Sequence, residues 1–132
     1  MKRIHIVAAI ILNAEKSEVF ITKRPEDKHK GGFWEFPGGK VEDKETVAQA
    51  IKRELDEEVG IQVTQHSLFE HLEYDYTDKS LKFDFILVTD FENQPFGREG
   101  QQGKWVPIPQ LRDYEFPEAN RTILDRVVDE YS

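Results

Sequence analysis

The residues with the clearest chemical potential are acidic side chains concentrated in one short stretch of the chain. Residues 42–58 contain seven acidic and three basic side chains. If this stretch is helical, Glu54, Glu57 and Glu58 lie on one stripe about 100° wide, because each residue turns the helix by about 100°. Carboxylates this close repel each other, so stability alone does not explain the cluster. Divalent cations such as Mg²⁺ bind oxygen ligands and accompany phosphate substrates, so the stripe predicts a cation site.

A simpler interpretation of this stretch is the solvated acidic face of a surface helix, because Glu-x-x-Glu-Glu is a common pattern by itself. Arg53 lies four residues before Glu57, a spacing that also fits an ordinary ion pair on a helix surface. Both interpretations stay open at this level, and the surrounding elements and the wider spacing are needed to choose between them.

The acidic stripe requires a helix with defined ends, and residues 46–59 have the pattern of one. Its apolar positions are Val47, Ile51, Leu55 and Val59, which recur every four residues. Thr46 followed by Gln49 three residues later predicts a capping box at the start. Gly60 stands where the left-handed residue that ends a helix belongs. The sequence therefore predicts an amphipathic helix whose polar side carries the acidic stripe.

Extended segments on both sides of this helix predict a sheet. The apolar run over 4–12 is too short to span a membrane and lacks the cleavage site of a secretion signal, so we expect a buried strand. Further strands are predicted at 19–22, 66–76, 81–91 and 104–107, with a hairpin turn at 77–80. A short extended piece at 33–36 is stopped by residues 37–39. A second helix is predicted over 118–131. This order predicts an α/β (α+β) fold with a mixed β-sheet between helices.

Length and composition limit the class of protein. The chain has 132 residues, a formal net charge of −8 and no cysteine, which predicts one domain over residues 1–132 without disulfides. The acidic excess disfavours stable binding to nucleic-acid strands or to anionic membranes. We therefore expect a cytoplasmic monomer whose partner is a small molecule.

A wider set of residues at fixed spacing resembles the Nudix box, the signature of the Nudix hydrolase superfamily. The matching positions are Gly39, Glu45, Arg53, Glu54, Leu55, Glu57, Glu58, Gly60 and Ile61. Residues 2–128 also look like the bacterial MutT group of this superfamily, for example at 35–40, 97–101 and 116–120. The resemblance implies a Nudix fold and hydrolysis of oxidised guanine nucleotides, notably 8-oxo-dGTP, to the monophosphate and pyrophosphate, which prevents replication errors.

The resemblance also implies roles for the acidic residues. Glu54, Glu57 and Glu58 would bind Mg²⁺, or Mn²⁺ in its place, together with the backbone carbonyl of Gly38. Glu54 would in addition take the proton of the attacking water. Arg53 would hold the neighbouring carboxylates by ion pairing, and Glu45 is given a secondary place because it precedes the helix. Glu99, in a polar loop, would supply a further metal ligand or proton acceptor. Without the resemblance, the same residue would be interpreted as a solvated loop acid.

Other positions match residues that contact the nucleotide. Arg24 and His29 flank the loop before the glycine-rich turn, where a guanidinium and an imidazole can donate to phosphate, sugar or base. The segment Glu35, Phe36, Pro37 and Gly38 would line the substrate. Phe36 and Tyr76 would wall the base, although the MutT pattern has Phe where this chain has Tyr76, which leaves the detail of that wall open.

Asn120 is the candidate for recognising the base. In 8-oxoguanine N7 carries a hydrogen, so one amide side chain can accept from N7–H and donate to O6 at the same time. Asn120 matches the MutT residue that does this, but Asn is also favoured at helix starts, and Pro117 precedes it closely.

Two other functions stay open from the sequence. A Nudix hydrolase of another nucleoside diphosphate derivative, such as a different nucleotide or a nucleotide sugar, would carry the same box. A non-catalytic nucleotide-binding module would keep the fold, but it could lose Glu54, Glu57 or Glu58 without penalty.

Overall fold

The computed structural model describes residues 4–24 and 32–132, which form a mixed seven-stranded sheet with an α-helix on each face. The strands are β1 (Ile4–Leu12), β2 (Glu18–Lys23), β3 (Trp34–Glu35), β4 (Gly38–Lys40), β5 (Gln62–Asp75), β6 (Ser80–Glu92) and β7 (Gly103–Pro107). The helices are α1 (Val47–Val59) and α2 (Arg121–Tyr131), with 3₁₀ helices at Ile108–Asp113 and Glu118–Asn120. The predicted fold class is confirmed.

Strand β1 lies at the centre of the sheet, as its continuous apolar run predicts. It runs parallel to β6, and it pairs antiparallel with β4 through its first half and with β2 through its last two residues. Its alternate side chains enter two separate cores, with Ile10 packed in the core under α2 and Ile11 in the core under α1. Burial on both faces removes the need for alternating polarity.

Helix α1 has the caps that the sequence predicts. The Thr46 hydroxyl accepts from the Gln49 backbone N–H, and the Gln49 side chain accepts from the Thr46 N–H, so the capping box is complete. Gly60 ends the helix at φ 73°, a left-handed conformation that glycine adopts without a Cβ clash. Ile51 and Leu55 are fully buried, and burial of such a side chain contributes about 1.5–3 kcal/mol.

Three predicted boundaries of strands and helices are wrong. Residues 37–39 do not simply stop a strand, because Gly38–Lys40 pairs with β1. A Cβ atom on Gly38 would overlap the Val7 carbonyl, so only glycine permits this close pairing. The second helix does not begin at 118, because a 3₁₀ turn precedes α2. Strand β5 begins at Gln62, four residues before the predicted start at 66, and its bulges disturb the alternation there.

Among the described residues, no helix is both long enough and apolar enough to cross a membrane.

Candidate active site

The exposed side of α1 borders an acidic cavity of about 290 Å³. Its lining consists of Lys23, Arg24, Glu35, Gly38, Glu54, Glu58, Glu99 and Gln101. The structure therefore brings together Glu54 and Glu58 of the predicted stripe with Glu99, which lies more than forty positions later in the chain. Glu57 is not part of this lining: its side chain is 53% exposed and lies 3.4 Å from Arg53.

Arg53 holds the acidic side chains of α1 in place. Its Nη1 donates to Glu54 Oε1 at 2.8 Å, and its Nε and Nη2 donate to the two oxygens of Glu45 at 2.7 and 2.9 Å. Its Nη2 also donates to the Lys40 carbonyl at 3.0 Å, which ties α1 to β4. This paired geometry is the strong form of an arginine–carboxylate contact. The ion pairing assigned to Arg53 in the sequence is thus present in the structure.

Glu45 has a larger structural part than its place before the helix suggests. Hydrogen bonding from Arg53 lowers the pKa of Glu45 to about 2, so this carboxylate stays charged. Glu45 precedes the Thr46 cap, so it is not part of the acidic stripe on the helix. Its position in the Nudix box is the only signal in the sequence that links it to the site.

The cavity places negative charge where water is largely excluded. Burial and, after it, the neighbouring carboxylates of Glu35, Glu54 and Glu99 together raise the pKa of Glu58 to about 9, while the Gly38 N–H, which donates to Glu58 at 3.2 Å, opposes the shift. Burial also raises the pKa of Glu54, against the pull of Arg53. Both raised pKa values indicate that these carboxylates have too little positive charge nearby to favour their ionised form.

This donor set fits a hard divalent cation. The lining offers four carboxylates, from Glu35, Glu54, Glu58 and Glu99. It contains only two basic side chains, those of Lys23 and Arg24. In residues 4–24 and 32–132, no three acidic or histidine side chains already have the close spacing of a metal centre. Mutual repulsion keeps such side chains apart when no cation is bound. The predicted ligand set of Gly38, Glu54, Glu57, Glu58 and Glu99 therefore stays a prediction.

A second, mainly apolar cavity of about 330 Å³ adjoins the first. It is lined by Ile4, Ile6, Val7, Ala8, Arg24, Glu35, Phe36, Gly38, Gly39, Lys40, Tyr76, Lys79, Leu81, Phe83, Pro117 and Asn120. The two cavities share Arg24, Glu35 and Gly38. A ligand with an apolar end and an anionic end could therefore lie across the boundary.

Asn120 faces this second cavity rather than capping the helix. Asn120 is 8% exposed and occupies the N-cap position of α2, yet its side chain makes no capping hydrogen bond. The alternative explanation of Asn120 as a helix-start residue therefore lacks the bond that would support it. The backbone N–H of the preceding Ala119 donates to the Tyr76 hydroxyl, which ties the end of β5 to the start of α2.

The remaining predicted contacts divide into three groups. Phe36 packs against Phe85 and Phe116 and forms the floor of the apolar cavity. Arg24 and Glu35 form an ion pair of 2.8 Å at the boundary of the cavities. Pro37 is buried, and its carbonyl accepts from the Ala9 N–H.

His29 lies outside the described residues, so its predicted contact with the nucleotide stays a prediction. The sequence gives no individual role to Lys40 and Lys79, which line the apolar cavity, or to Gln101, which lines the acidic one. Lysines on a strand end and in a turn carry no periodic signal. Lys40 and Gln101 lie within the runs 35–40 and 97–101 that resemble the MutT group, and Lys79 has no such signal.

Comparisons with known proteins identify the family of this chain. The family model described as NUDIX domain matches residues 7–126, and the chain belongs to this family. The sequence is 45% identical over 127 residues to the 8-oxo-dGTP diphosphatase of Escherichia coli K12, covering 96% of this chain and 98% of that protein. It is 31% identical to the CTP pyrophosphohydrolase of the same organism, covering 95% of this chain and 91% of that protein.

The fold is similarly close to solved structures. A structure from a study of MutT from Aliivibrio salmonicida and Vibrio cholerae superposes with a TM-score of 0.91 at 58% identity, covering 98% of this chain and 100% of that one. The Nudix fold that the resemblance implies is thereby confirmed.

Proposed function

We propose that this protein hydrolyses 8-oxo-dGTP to 8-oxo-dGMP and pyrophosphate with the help of Mg²⁺. The observation that carries the proposal is the adjoining pair of cavities, one acidic and one apolar, which share Arg24, Glu35 and Gly38. A nucleoside triphosphate has the matching division into a flat base and a polyanionic chain. The Escherichia coli relative with 45% identity is an 8-oxo-dGTP diphosphatase.

At the base end, the apolar cavity supplies stacking surface and one amide. Phe36 and Tyr76 provide aromatic walls, and the Asn120 amide can accept from the N7–H of 8-oxoguanine while donating to O6. Guanine itself has an acceptor at N7, so it would face the Asn120 oxygen with no hydrogen to share. A site built around a hydrogen bond rejects the analogue that lacks it, because the buried polar group is left unpaired.

At the phosphate end, Glu54, Glu57, Glu58, Glu99 and the Gly38 carbonyl would hold the divalent cations. When bound, these cations neutralise the phosphate oxygens and lower the pKa of water. The attacking water forms a bond to Pα or Pβ, and the bridging P–O bond to the attacked phosphorus breaks. The bridging oxygen leaves with the electron pair, as pyrophosphate after attack at Pα or as 8-oxo-dGMP after attack at Pβ, so the two products are the same. Glu54 accepts the proton of that water, and its Arg53 contact fixes the carboxylate that does so.

Removal of 8-oxo-dGTP would keep the mispairing nucleotide from the replication machinery. The protein would therefore act on the nucleotide pool rather than on DNA, which agrees with a net charge of −8.

A second candidate is hydrolysis of an undamaged nucleotide, and the 31% identity to a CTP pyrophosphohydrolase favours testing CTP. The apolar cavity argues for the purine, because Asn120 offers the acceptor and donor pair that an oxidised guanine requires.

The deciding experiment is a substrate panel with Mg²⁺ or Mn²⁺ that compares 8-oxo-dGTP, dGTP, CTP and ADP-ribose. We expect kcat/KM for 8-oxo-dGTP to exceed that for each other substrate by at least about 100-fold, as for discrimination through hydrogen bonds. A preference for CTP would establish the second candidate instead. Binding of 8-oxo-dGTP without pyrophosphate release would identify a non-catalytic module.

A further inference from the structure

The loop that carries Glu99 is docked on the carboxyl end of α1. We call residues 96–101 the Glu99 loop. Its backbone donates from Phe96 N–H to the Val59 carbonyl at 3.1 Å and from Arg98 N–H to the Glu58 carbonyl at 3.0 Å. These are carbonyls that the helix itself leaves without partners at its end. The loop therefore takes its position from the helix that carries Glu54 and Glu58.

Gln101 joins Glu99 to Glu58 through a single amide. Its Nε2 donates to the Glu58 carbonyl at 3.2 Å, and its Oε1 accepts from the Glu99 N–H at 3.0 Å. Only a side chain with a donor and an acceptor on one short group can make both bonds. A carboxylate could not donate to the carbonyl, and an apolar side chain could make neither bond.

The backbone around Gln101 is also constrained. A Cβ atom on Gly97 would overlap the Gln101 carbonyl, so the two ends of the loop approach more closely than any other residue at 97 would allow. Gln101 is half-buried, whereas Glu99 and Gly100 at the tip are exposed. The amide thus sits at the closed base of the loop, where it can control the position of the tip.

Electrostatics explain why such a bridge is needed. Glu54, Glu58 and Glu99 line the same cavity, so their carboxylates repel one another when no cation is bound. This repulsion favours movement of the exposed Glu99 into solvent. The two hydrogen bonds of Gln101 oppose this movement.

We propose that Gln101 is a positioning residue that holds the Glu99 carboxylate at the cation site before the cation arrives. It acts through the Glu99 backbone, and the proposal rests on the function proposed above. The expected consequence is a site that is partly organised without its cation, so that loss of the amide lowers cation affinity rather than base selection.

The test measures Mn²⁺ binding to the substrate-free protein by electron paramagnetic resonance. We expect Gln101→Ala to raise the Kd for Mn²⁺ about 10-fold, as for loss of partners that orient metal ligands. Gln101→Met keeps the length of the side chain but lacks the N–H donor and the strong carbonyl acceptor of the amide, so it should give the same change and replaces Gln101→Ala if that variant folds poorly. The exposed neighbour Gln102 offers a matched control, and Gln102→Ala should leave the Kd unchanged.

A double-mutant cycle separates positioning from general loosening of the loop. In a Glu99→Gln background, Gln101→Ala should produce little further loss of Mn²⁺ affinity, because its effect passes through the Glu99 carboxylate. Equal losses in both backgrounds, or an unchanged Kd in Gln101→Ala and Gln101→Met, would overturn the proposal.

Failure of this proposal and failure of the proposed function give different results. A wild-type protein that binds Mn²⁺ but hydrolyses no nucleotide refutes the function alone. Turnover of 8-oxo-dGTP with unchanged Mn²⁺ affinity in both Gln101 variants refutes the positioning role alone. A wild-type protein that binds no Mn²⁺ overturns both.

Discussion

The acidic and the apolar cavity differ in where their residues come from in the chain. Glu54 and Glu58 share one helix with Arg53, whereas Glu35 comes from β3 and Glu99 from a distant loop. The apolar cavity takes Phe36, Tyr76 and Asn120 from three segments that are far apart in sequence. The first cavity thus takes two of its four carboxylates from one helix, whereas the second has no such local group and exists only after the sheet and α2 have packed.

This difference teaches that reaction and selectivity are separable in this molecule. Carboxylates on a rigid helix can serve any phosphate substrate, whereas we expect the wall around Asn120 to select one base. Substitutions in the acidic cavity should therefore change turnover for all substrates alike. Substitutions in the apolar cavity should change the ratio between substrates.

The largest expected effect is that of Glu54→Gln. Loss of the proton acceptor should lower kcat for every hydrolysed nucleotide by about 10²–10⁴-fold, the range for general acid–base catalysis. Steady-state kinetics with saturating Mg²⁺ measures it, and circular dichroism checks the fold. Asp43→Asn makes the same charge change at an exposed residue outside the cavity and should leave kcat unchanged. A near-normal kcat in Glu54→Gln would remove this residue from the mechanism.

The next effect tests selectivity. Asn120→Ala removes the acceptor and donor pair, so the kcat/KM ratio of 8-oxo-dGTP to dGTP should fall by about 10–100-fold, as for two lost hydrogen bonds. Competition assays with both nucleotides measure this ratio directly. Glu54→Gln is the matched comparison, because it should leave the ratio intact while lowering both rates. An unchanged ratio in Asn120→Ala would mean that another group recognises the base.

A smaller effect concerns stability without cation. Because the pKa of Glu58 is raised to about 9, the folded state holds a proton between roughly pH 4.5 and 9 that the unfolded state has lost. Stability should therefore decrease as pH rises through this window. Glu58→Gln should stabilise the cation-free protein at pH 8 by about 1–3 kcal/mol, the range for an uncompensated buried polar group.

Urea unfolding at pH 5 and pH 8, in the presence of a chelator, measures this difference. The stabilisation by Glu58→Gln should shrink at pH 5 and reverse when Mn²⁺ is added to both proteins. A variant less stable than wild type at pH 8 with the chelator would show that the Glu58 carboxylate is not under repulsion.

The smallest effect lies away from both cavities, in a chain of three side chains across β1, β6 and β5. Asp84 contacts His5 at 2.6 Å and His71 at 2.7 Å. Burial opposes ionisation of Asp84, but the hydrogen bonds with both histidines outweigh it and lower its pKa. The bond to Asp84 raises the pKa of His71, although burial opposes this.

The two shifts define a window of added stability. The Asp84 contribution is lost as pH falls through its lowered pKa, and the His71 contribution is lost as pH rises above about 6.5 through its raised pKa. Asp84→Asn should therefore reduce stability at pH 5.5 by about 0.5–1 kcal/mol, as for a partly exposed pair, and by less at pH 8. Urea unfolding measures both, and kcat should not change. An equal loss at both pH values would contradict a charged His71.

Much of the structure could be predicted where short-range pattern decides it. The periodicity of Val47, Ile51 and Leu55, with the capping box at Thr46, defines α1 almost to the residue. The continuous apolar run over 4–12 defines the central strand. These predictions succeed because helix caps and burial periodicity depend on neighbours a few residues away.

Predictions failed or stayed silent where a distant contact decides the outcome. Gly38–Lys40 is a strand because β1 lies against it, and its glycines alone suggest a turn. Glu45 joins the site because the Arg53 guanidinium reaches back across the helix start. Gln101 belongs to the run 97–101, but no sequence pattern predicts its bonds to Glu58 and Glu99.

The sequence by itself determined the family, the fold class and the acidic helix, because the box residues occupy fixed spacings within about twenty positions. Tertiary structure alone decided that Glu99 would meet Glu58 and that Asn120 would face the same cavity as Phe36 and Tyr76. The physical reason is packing. The cavity walls come from elements far apart in sequence, and their distances are set by how two cores close on opposite faces of one sheet.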